Sequence, residues 1–169
     1  MRTRRAVREF TDEPVSREAV ERILRAVRWA PSAGNRRLHK LIVVDSRAEI
    51  ARVRAISPGM FGDPPLLLAL CTDDTQLEKQ GVKDYDTSTM VDVGTTAMCM
   101  MLAAHELGLG TCPTTSFSVE GVRGALNIPP HLTPDFILQV GHAKPQEKTG
   151  GGEVVTIDDF TYWGAFPSS

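Results

Sequence analysis

The sequence has few cysteines, no strong excess of charge of either sign and no Cys-x-x-Cys motif. Its three cysteines, Cys71, Cys99 and Cys112, lie in apolar surroundings. Reduced, buried thiols are therefore the expected state, and a reducing cytosol is the expected compartment. The net charge of -2 at pH 7 argues against a dedicated nucleic-acid-binding protein, which would carry a strong basic excess.

Apolar segments of the kind that a membrane span or a secretory signal requires are also missing. The longest candidate, residues 90–109, is interrupted by Asp92, His105 and Glu106, which favours a buried core helix. The first ten residues are followed by the polar sequence TDEP, whereas a secretory signal has an apolar segment of about 7–15 residues. We therefore expect a cytoplasmic protein that has no membrane partner.

Several common catalytic and cofactor motifs are absent as well. There is no G-x-x-x-x-G-K-[ST] motif, and Gly108 and Gly110 end a predicted helix instead of opening one, which excludes two common kinds of nucleotide site. The four histidines have no HExxH or other paired spacing, so no metal site is predicted. A G-x-S-x-G nucleophile motif is missing too. No sequence motif therefore indicates catalysis by side chains.

What the sequence does contain is an alternation of helix and strand patterns. The 169 residues, 41% hydrophobic and 24% charged, fit one globular domain with a single core. Residues 16–29 place apolar side chains at i, i+3, i+4 and i+7 from Val20, which predicts an amphipathic helix with Ser16 as its N-cap. The other predicted elements are a strand at 41–45, a helix through Ile50 and Val53, a strand at 66–72, a mostly apolar central helix at 87–107 capped by Gly108, a strand or loop at 111–115, a helix at 119–126 and a strand at 136–140.

The C-terminal segment has a composition of its own. After Lys144 the chain is polar through the glycines at 150–152, and it then regains apolar and aromatic residues. We expect this tail to cover an apolar surface, either on its own core or on a partner. The apolar residues in question are Val154, Val155, Phe160, Tyr162, Trp163 and Phe166.

Three separated stretches are suited to binding a ligand. The first is RRAVR at 4–8, where a helical conformation would place Arg4 and Arg8 on one face, available to a phosphate. The second is APSAGN at 30–35, whose small residues allow the backbone to approach a flat ligand closely. The third is GLGTCPTTSF at 108–117, which can present backbone amides. Taken singly, each has a simpler interpretation: a solvated basic end, a helix-to-strand connection, and a glycine cap followed by an edge strand.

The order of these stretches resembles the FMN-dependent nitroreductase family along nearly the whole chain. Family members typically read R-R-S-x-R-x-F, then A-P-S-x-x-N-x-Q-P-W, and later D-x-G followed by L-A-A-x-x-L-G-L-G-T-C. This sequence has RRAVREF, APSAGN, DVG and LAAHELGLGTC in the same order. The resemblance implies an α+β fold, a three-layer α-β-α sandwich with a mostly antiparallel sheet, in an intertwined homodimer. It also implies one domain over residues 1–169, with a tail at 150–169 packed on the partner protomer.

The resemblance further implies a set of FMN-binding residues at the dimer interface, with no catalytic side chain and no metal. A backbone amide near Thr115 or Ser116 would donate to N5 or O4 of the flavin. The implied residues are Arg4, Arg5, Ala6 and Arg8 at the phosphate and polar edge; Pro31, Ser32, Ala33 and Asn35 from the other protomer; Pro113, Thr114, Thr115 and Ser116 along the ring; and Lys148, with Lys144 as second choice, at the phosphate.

The implied activity is that of an oxidoreductase that takes a hydride from NADH or NADPH. Electrons would pass to a nitroaromatic, a quinone or a similar small acceptor by a ping-pong mechanism. Two alternatives stay open. One is a specialised enzyme of the same fold, such as a dehalogenase, a flavin-fragmenting enzyme or a deazaflavin enzyme, and the other is a flavin-binding or regulatory protein without turnover.

Two departures from the family pattern bear on the site. Ala6 stands where the family has serine, which removes a hydroxyl group from the phosphate end. Arg-Arg-Leu-His at 36–39 stands where Gln-Pro-Trp is typical. The contacts made at these positions are therefore expected to differ from those of the family.

Overall fold

The computed structural model describes residues 1–81, 87–145 and 155–165. These residues contain helices and strands that alternate along most of the chain, which confirms the predicted α+β class. The elements are α1 (Arg17–Val27), β1 (His39–Val44), α2 (Arg47–Ala55), β2 (Leu66–Asp73), α3 (Asp74–Lys79), α4 (Thr87–Glu106), β3 (Gly110–Thr114), α5 (Val119–Ala125) and β4 (Leu132–Gly141), with short 3-10 helices at Ala33–Asn35 and Ile157–Asp159.

The four strands form one sheet in the order β1-β2-β4-β3, and each neighbouring pair is antiparallel. All eight residues of the central strand β2 are buried, because helices cover both faces of the sheet. The register between β2 and β4 shifts between Leu70 and Cys71, opposite Pro134. β3 lies at one edge of the sheet, so its outer side is open to pairing with another segment.

Two apolar clusters fill the two faces of the sheet, so the predicted three-layer arrangement is confirmed. Since successive strand residues point to opposite faces, the leucines of β2 divide between the clusters. Leu68 packs with Ile23 of α1 and Met100 of α4. Leu67 packs with Val53 of α2 on the other face, and α5 lies on that face as well.

The central helix α4 is in the predicted place, but one of its faces is uncovered. Val91 is 57% exposed and Met98 is 41% exposed, although most of the helix packs against the sheet and α1. Residues seven apart lie on one side of a helix, so these side chains form an apolar stripe, which we call the α4 stripe. In the described part of the chain, no helix is both long and apolar enough to cross a membrane.

Replacing Ser16 with alanine is expected to destabilise the protein by about 1 kcal/mol. The Ser16 side chain accepts a hydrogen bond from the Ala19 amide at 3.2 Å, as predicted for an N-cap. Ser46 is a matched control, because it precedes α2 without making a side-chain capping bond. Urea unfolding measures both variants, and an equal loss of stability in Ser16→Ala and Ser46→Ala would contradict the capping role of Ser16.

Candidate functional site

The N-terminal arm (residues 1–10) pairs with the outer edge of β3 near its middle, and its last residue, Phe10, pairs with Ala143 after β4. Ala6 forms a parallel bridge with Thr111, and the Val7 amide donates to the Thr111 carbonyl at 2.9 Å. No helical turn is present between Arg4 and Arg8. The helical conformation considered for this stretch, in which the two arginines would share one face, is therefore not the one that it adopts. Pairing with the free edge of β3 satisfies backbone groups that a single helical turn would leave unpaired.

The three arginines of the first stretch have different surroundings. The Arg5 guanidinium donates to the carbonyls of Arg2 and Arg4 at 2.8 and 2.9 Å, so it is engaged by the arm's own backbone. Arg4 is half-buried and Arg8 is exposed. Within the described residues, neither guanidinium makes a hydrogen bond or an ion pair. Arg4 and Arg8 are therefore available to an anion, whereas Arg5 is only partly so.

The electrostatic effect of Arg8 on a neighbouring thiol indicates that its charge lies close to β3. Burial raises the pKa of the Cys112 thiol, and the positive charge of Arg8 opposes that increase. Cys112 follows the arm's contact at Thr111 by one residue. A positive charge is therefore present beside the strand that carries the third stretch.

The third stretch continues from β3 into an exposed turn. Pro113, Thr115 and Ser116 are exposed, whereas Thr114 is buried and accepts a hydrogen bond from Gln139 at 2.8 Å. Among the described residues, the amides of Thr115 and Ser116 donate to no other group. At about 3.3 Å per strand residue, Thr115 lies roughly 13 Å from Thr111. The first and third stretches thus form one continuous surface.

The second stretch lies against α4. The Ala33 amide donates to the Asp92 carboxylate at 2.9 and 3.2 Å, and the Thr95 hydroxyl donates to the Pro31 carbonyl at 3.0 Å. Between loop and helix is a cavity of about 490 Å³ with mostly apolar walls. Pro31, Ser32 and Ala33 all line this cavity, so three of the predicted residues share one concave surface.

One chain does not bring all three stretches together. The Thr3 hydroxyl hydrogen-bonds the His105 imidazole at 2.9 Å, near the C-terminal end of α4, whereas the second stretch is attached to Asp92. Thirteen residues of helix separate these contacts, which corresponds to about 20 Å at 1.5 Å per residue. Within one chain, the second stretch is therefore separate from the surface that the first and third stretches form.

Only one of the two candidate lysines lies within the described residues. Lys148 lies outside the described residues. Lys144 is exposed, and its backbone amide donates to the Glu9 carbonyl at 3.0 Å. The second-choice lysine is therefore beside the arm, where its charge would add to that of Arg4 and Arg8.

Sequence reasoning missed the importance of Asp92 and Arg36. The Asp92 and Arg36 side chains are only 4% and 10% exposed, and Asp92 Oδ2 lies 3.7 Å from Arg36 Nη2. A carboxylate in an apolar helix needs a charged or hydrogen-bonding partner when it is buried. The lone aspartate in the apolar sequence of α4 was therefore the signal that could have identified this pair.

The chain is similar to known proteins both in sequence and in fold. The protein-family model described as "Nitroreductase family" matches residues 1–59 and 52–142 of this chain. A protein from Methanothermobacter thermautotrophicus named "Putative NADH dehydrogenase/NAD(P)H nitroreductase" is 31% identical over 164 residues, covering 94% of this chain and 82% of the relative. An "FMN reductase" (NAD(P)H) from Bacillus subtilis is 28% identical over 159 residues, covering 82% of this chain and 62% of the relative. A nitroreductase family protein from Clostridium difficile 630 has the same fold, with a TM-score of 0.83 at 24% identity, covering 96% of this chain and 95% of the other.

Proposed function

Because this chain belongs to the nitroreductase family, we propose that it is an FMN-dependent oxidoreductase that uses NADH or NADPH. Its second substrate would be a small electron acceptor such as a nitroaromatic or a quinone. The observation that carries this proposal is the pairing of the arm with β3, which places Arg4 and Arg8 beside the strand that leads to the exposed residues Thr115 and Ser116. Cations for a phosphate and donors for a polar ring edge thereby lie along one strand.

The groups along β3 fit the chemistry of FMN. Arg4 and Arg8 offer paired N–H donors to phosphate oxygens, and Lys144 would add a third charge beside them. The amides of Thr115 and Ser116 would donate to the acceptor atoms of the isoalloxazine ring. When bound, FMN supplies the redox chemistry, by accepting a hydride at N5 and giving up electrons to the acceptor.

The protein's own residues would hold and orient the reactants. The exposed turn from Pro113 to Ser116 would support one face of the ring and leave the other face to the substrates. Both substrates would use that one open surface in turn, which predicts ping-pong kinetics. No side chain would then be required to add or remove a proton.

A second copy of the chain would complete the site. The α4 stripe is an apolar surface of the kind that marks an interface, and the tail adds exposed Phe160 and Trp163. We propose a single-domain homodimer in which the second stretch of one copy lies against the arm of the other, with the tail at 150–169 packed on the partner. The three cysteines are free thiols, which fits the reducing environment of the cytoplasm, and we expect no nucleic-acid or membrane partner.

Absorption spectroscopy and gel filtration test the proposal directly. The protein, incubated with FMN and freed of excess, is expected to be yellow, to elute at dimer mass and to bleach anaerobically with NADH or NADPH. A colourless protein that refuses added FMN would overturn the proposal. Bound flavin that neither nucleotide reduces would favour the regulatory alternative, and intersecting lines in initial-rate plots would contradict the ping-pong mechanism.

A further inference from the structure

Arg36, which directly follows the second stretch (residues 30–35), forms a buried ion pair with Asp92 of α4. Most ion pairs of the described chain are at the surface, such as Arg17 with Glu21, whose side chains are 92% and 45% exposed. Removing two charges from water is unfavourable unless each also finds hydrogen-bonding partners. Asp92 has such a partner in the Ala33 amide, and Arg36 donates to the Ser88 hydroxyl.

The segment that this pair adjoins has an unusual backbone. Within residues 31–37, which we call the α4 loop, Gly34, Asn35 and Arg37 have φ values of +58°, +54° and +52°. Side-chain-bearing residues adopt this region at a cost, and they persist there when surrounding contacts hold them. Those contacts come from α4, through Asp92 at Ala33 and Arg36 and through Thr95 at Pro31.

We propose that the Arg36–Asp92 pair fixes the α4 loop in its ligand-facing shape before the cofactor arrives. Both are then positioning residues for the flavin held by the neighbouring copy, an inference that rests on the proposed function. A loop ordered in advance does not lose conformational freedom on binding, so its contacts contribute more fully to affinity. The alternative is that the pair only stabilises the fold of its own chain.

Two substitutions of different severity test the proposal in the full-length protein. Asp92→Asn removes the charge but keeps an acceptor for the Ala33 amide, and it is expected to raise the Kd for FMN about tenfold. Thr95→Val removes the hydroxyl that is hydrogen-bonded to the Pro31 carbonyl and, within α4, to the Asp92 carbonyl, and an increase of about threefold is expected. Arg17→Gln is the control, since it also removes one ion pair but at the surface. Asp92→Asn and Thr95→Val should both remain dimeric by gel filtration.

A mixed dimer separates positioning from simple stabilisation. Differently tagged Arg4→Ala and Asp92→Asn subunits are co-expressed, and the heterodimer is isolated. If the α4 loop serves the partner's flavin, one site contains both defects and the other contains neither. The heterodimer should then bind half the wild-type amount of FMN with wild-type affinity.

The outcomes distinguish the inference from the function on which it rests. Two weakened sites in the heterodimer, with one defect in each, would overturn the inference, as would wild-type affinity in both Asp92→Asn and Thr95→Val. In either case wild-type protein that binds FMN would leave the proposed function standing. Wild-type protein that binds no FMN would overturn both.

Discussion

Replacing Gly110 with alanine is expected to displace the N-terminal arm from β3 and to weaken FMN binding by up to about a hundredfold. A Cβ at Gly110 would lie 2.7 to 2.9 Å from three atoms of the Val7 side chain, which is closer than real contacts allow. The arm cannot move aside freely, because the Val7 amide is hydrogen-bonded to Thr111. Crowding of this kind costs about 1–3 kcal/mol, and the displaced arm would carry Arg4 and Arg8 away from the strand.

Thermal unfolding and an FMN titration measure the two effects of Gly110→Ala. A loss of about 2 kcal/mol corresponds to a decrease in Tm of roughly 4–8 °C for a chain of this size. Gly124→Ala is the matched control, since an added Cβ there has no atom within 4 Å, and its stability should be equal or slightly higher. Adding Val7→Gly should restore part of the FMN binding. Wild-type Tm and affinity in Gly110→Ala would show that the arm is not packed on β3.

The double variant Arg4→Ala/Arg8→Ala is expected to weaken FMN binding by about 3 kcal/mol or more, which is roughly a hundredfold or greater increase in Kd. Both guanidinium groups are available to a ligand, and neither contributes a hydrogen bond or an ion pair within the described chain. The free energy of unfolding in urea should therefore stay nearly constant while the affinity falls. Quenching of FMN fluorescence on binding gives the Kd.

The other two arginines of the arm provide graded controls. Arg5→Ala should have a smaller effect on FMN affinity, because this side chain is engaged by backbone carbonyls of the arm. Arg2→Ala should leave the affinity unchanged. If the Arg4→Ala/Arg8→Ala variant retained wild-type affinity, the basic cluster would be a solvated chain end, as its sequence alone allowed.

Most regular elements could be predicted from the sequence because their signals are local. The amphipathic pattern and the serine cap placed α1 to within two residues of its observed end at Val27, and Gly108, with φ of +77°, ends α4 as predicted. The predicted strand at 136–140 covers only the apolar part of β4, which begins at Leu132 and passes through Pro134. Proline in a strand usually argues against that assignment, and here it sits at the register shift opposite Cys71.

Features that depend on distant contacts could not be predicted in the same way. The arm is extended because β3, about one hundred residues later, offers a free edge, which no pattern within residues 1–10 reveals. The α4 loop is held by Asp92, and residues 33 and 92 meet only after the sheet and helices pack. The resemblance to the family supplied the candidate site residues, whereas local patterns alone left each stretch with a simpler interpretation.

The burial of β2 on both faces also has a consequence for the unfolded chain. Its first six residues, LLLALC at 66–71, are uncharged and strongly apolar, which is the composition of segments that aggregate when exposed. Pro64 and Pro65 precede this segment, and Asp73 and Asp74 follow it. Prolines and charges at the ends of such segments oppose intermolecular strand pairing. The residues that bound β2 are thus also expected to oppose aggregation during synthesis and refolding, before the helices cover the sheet.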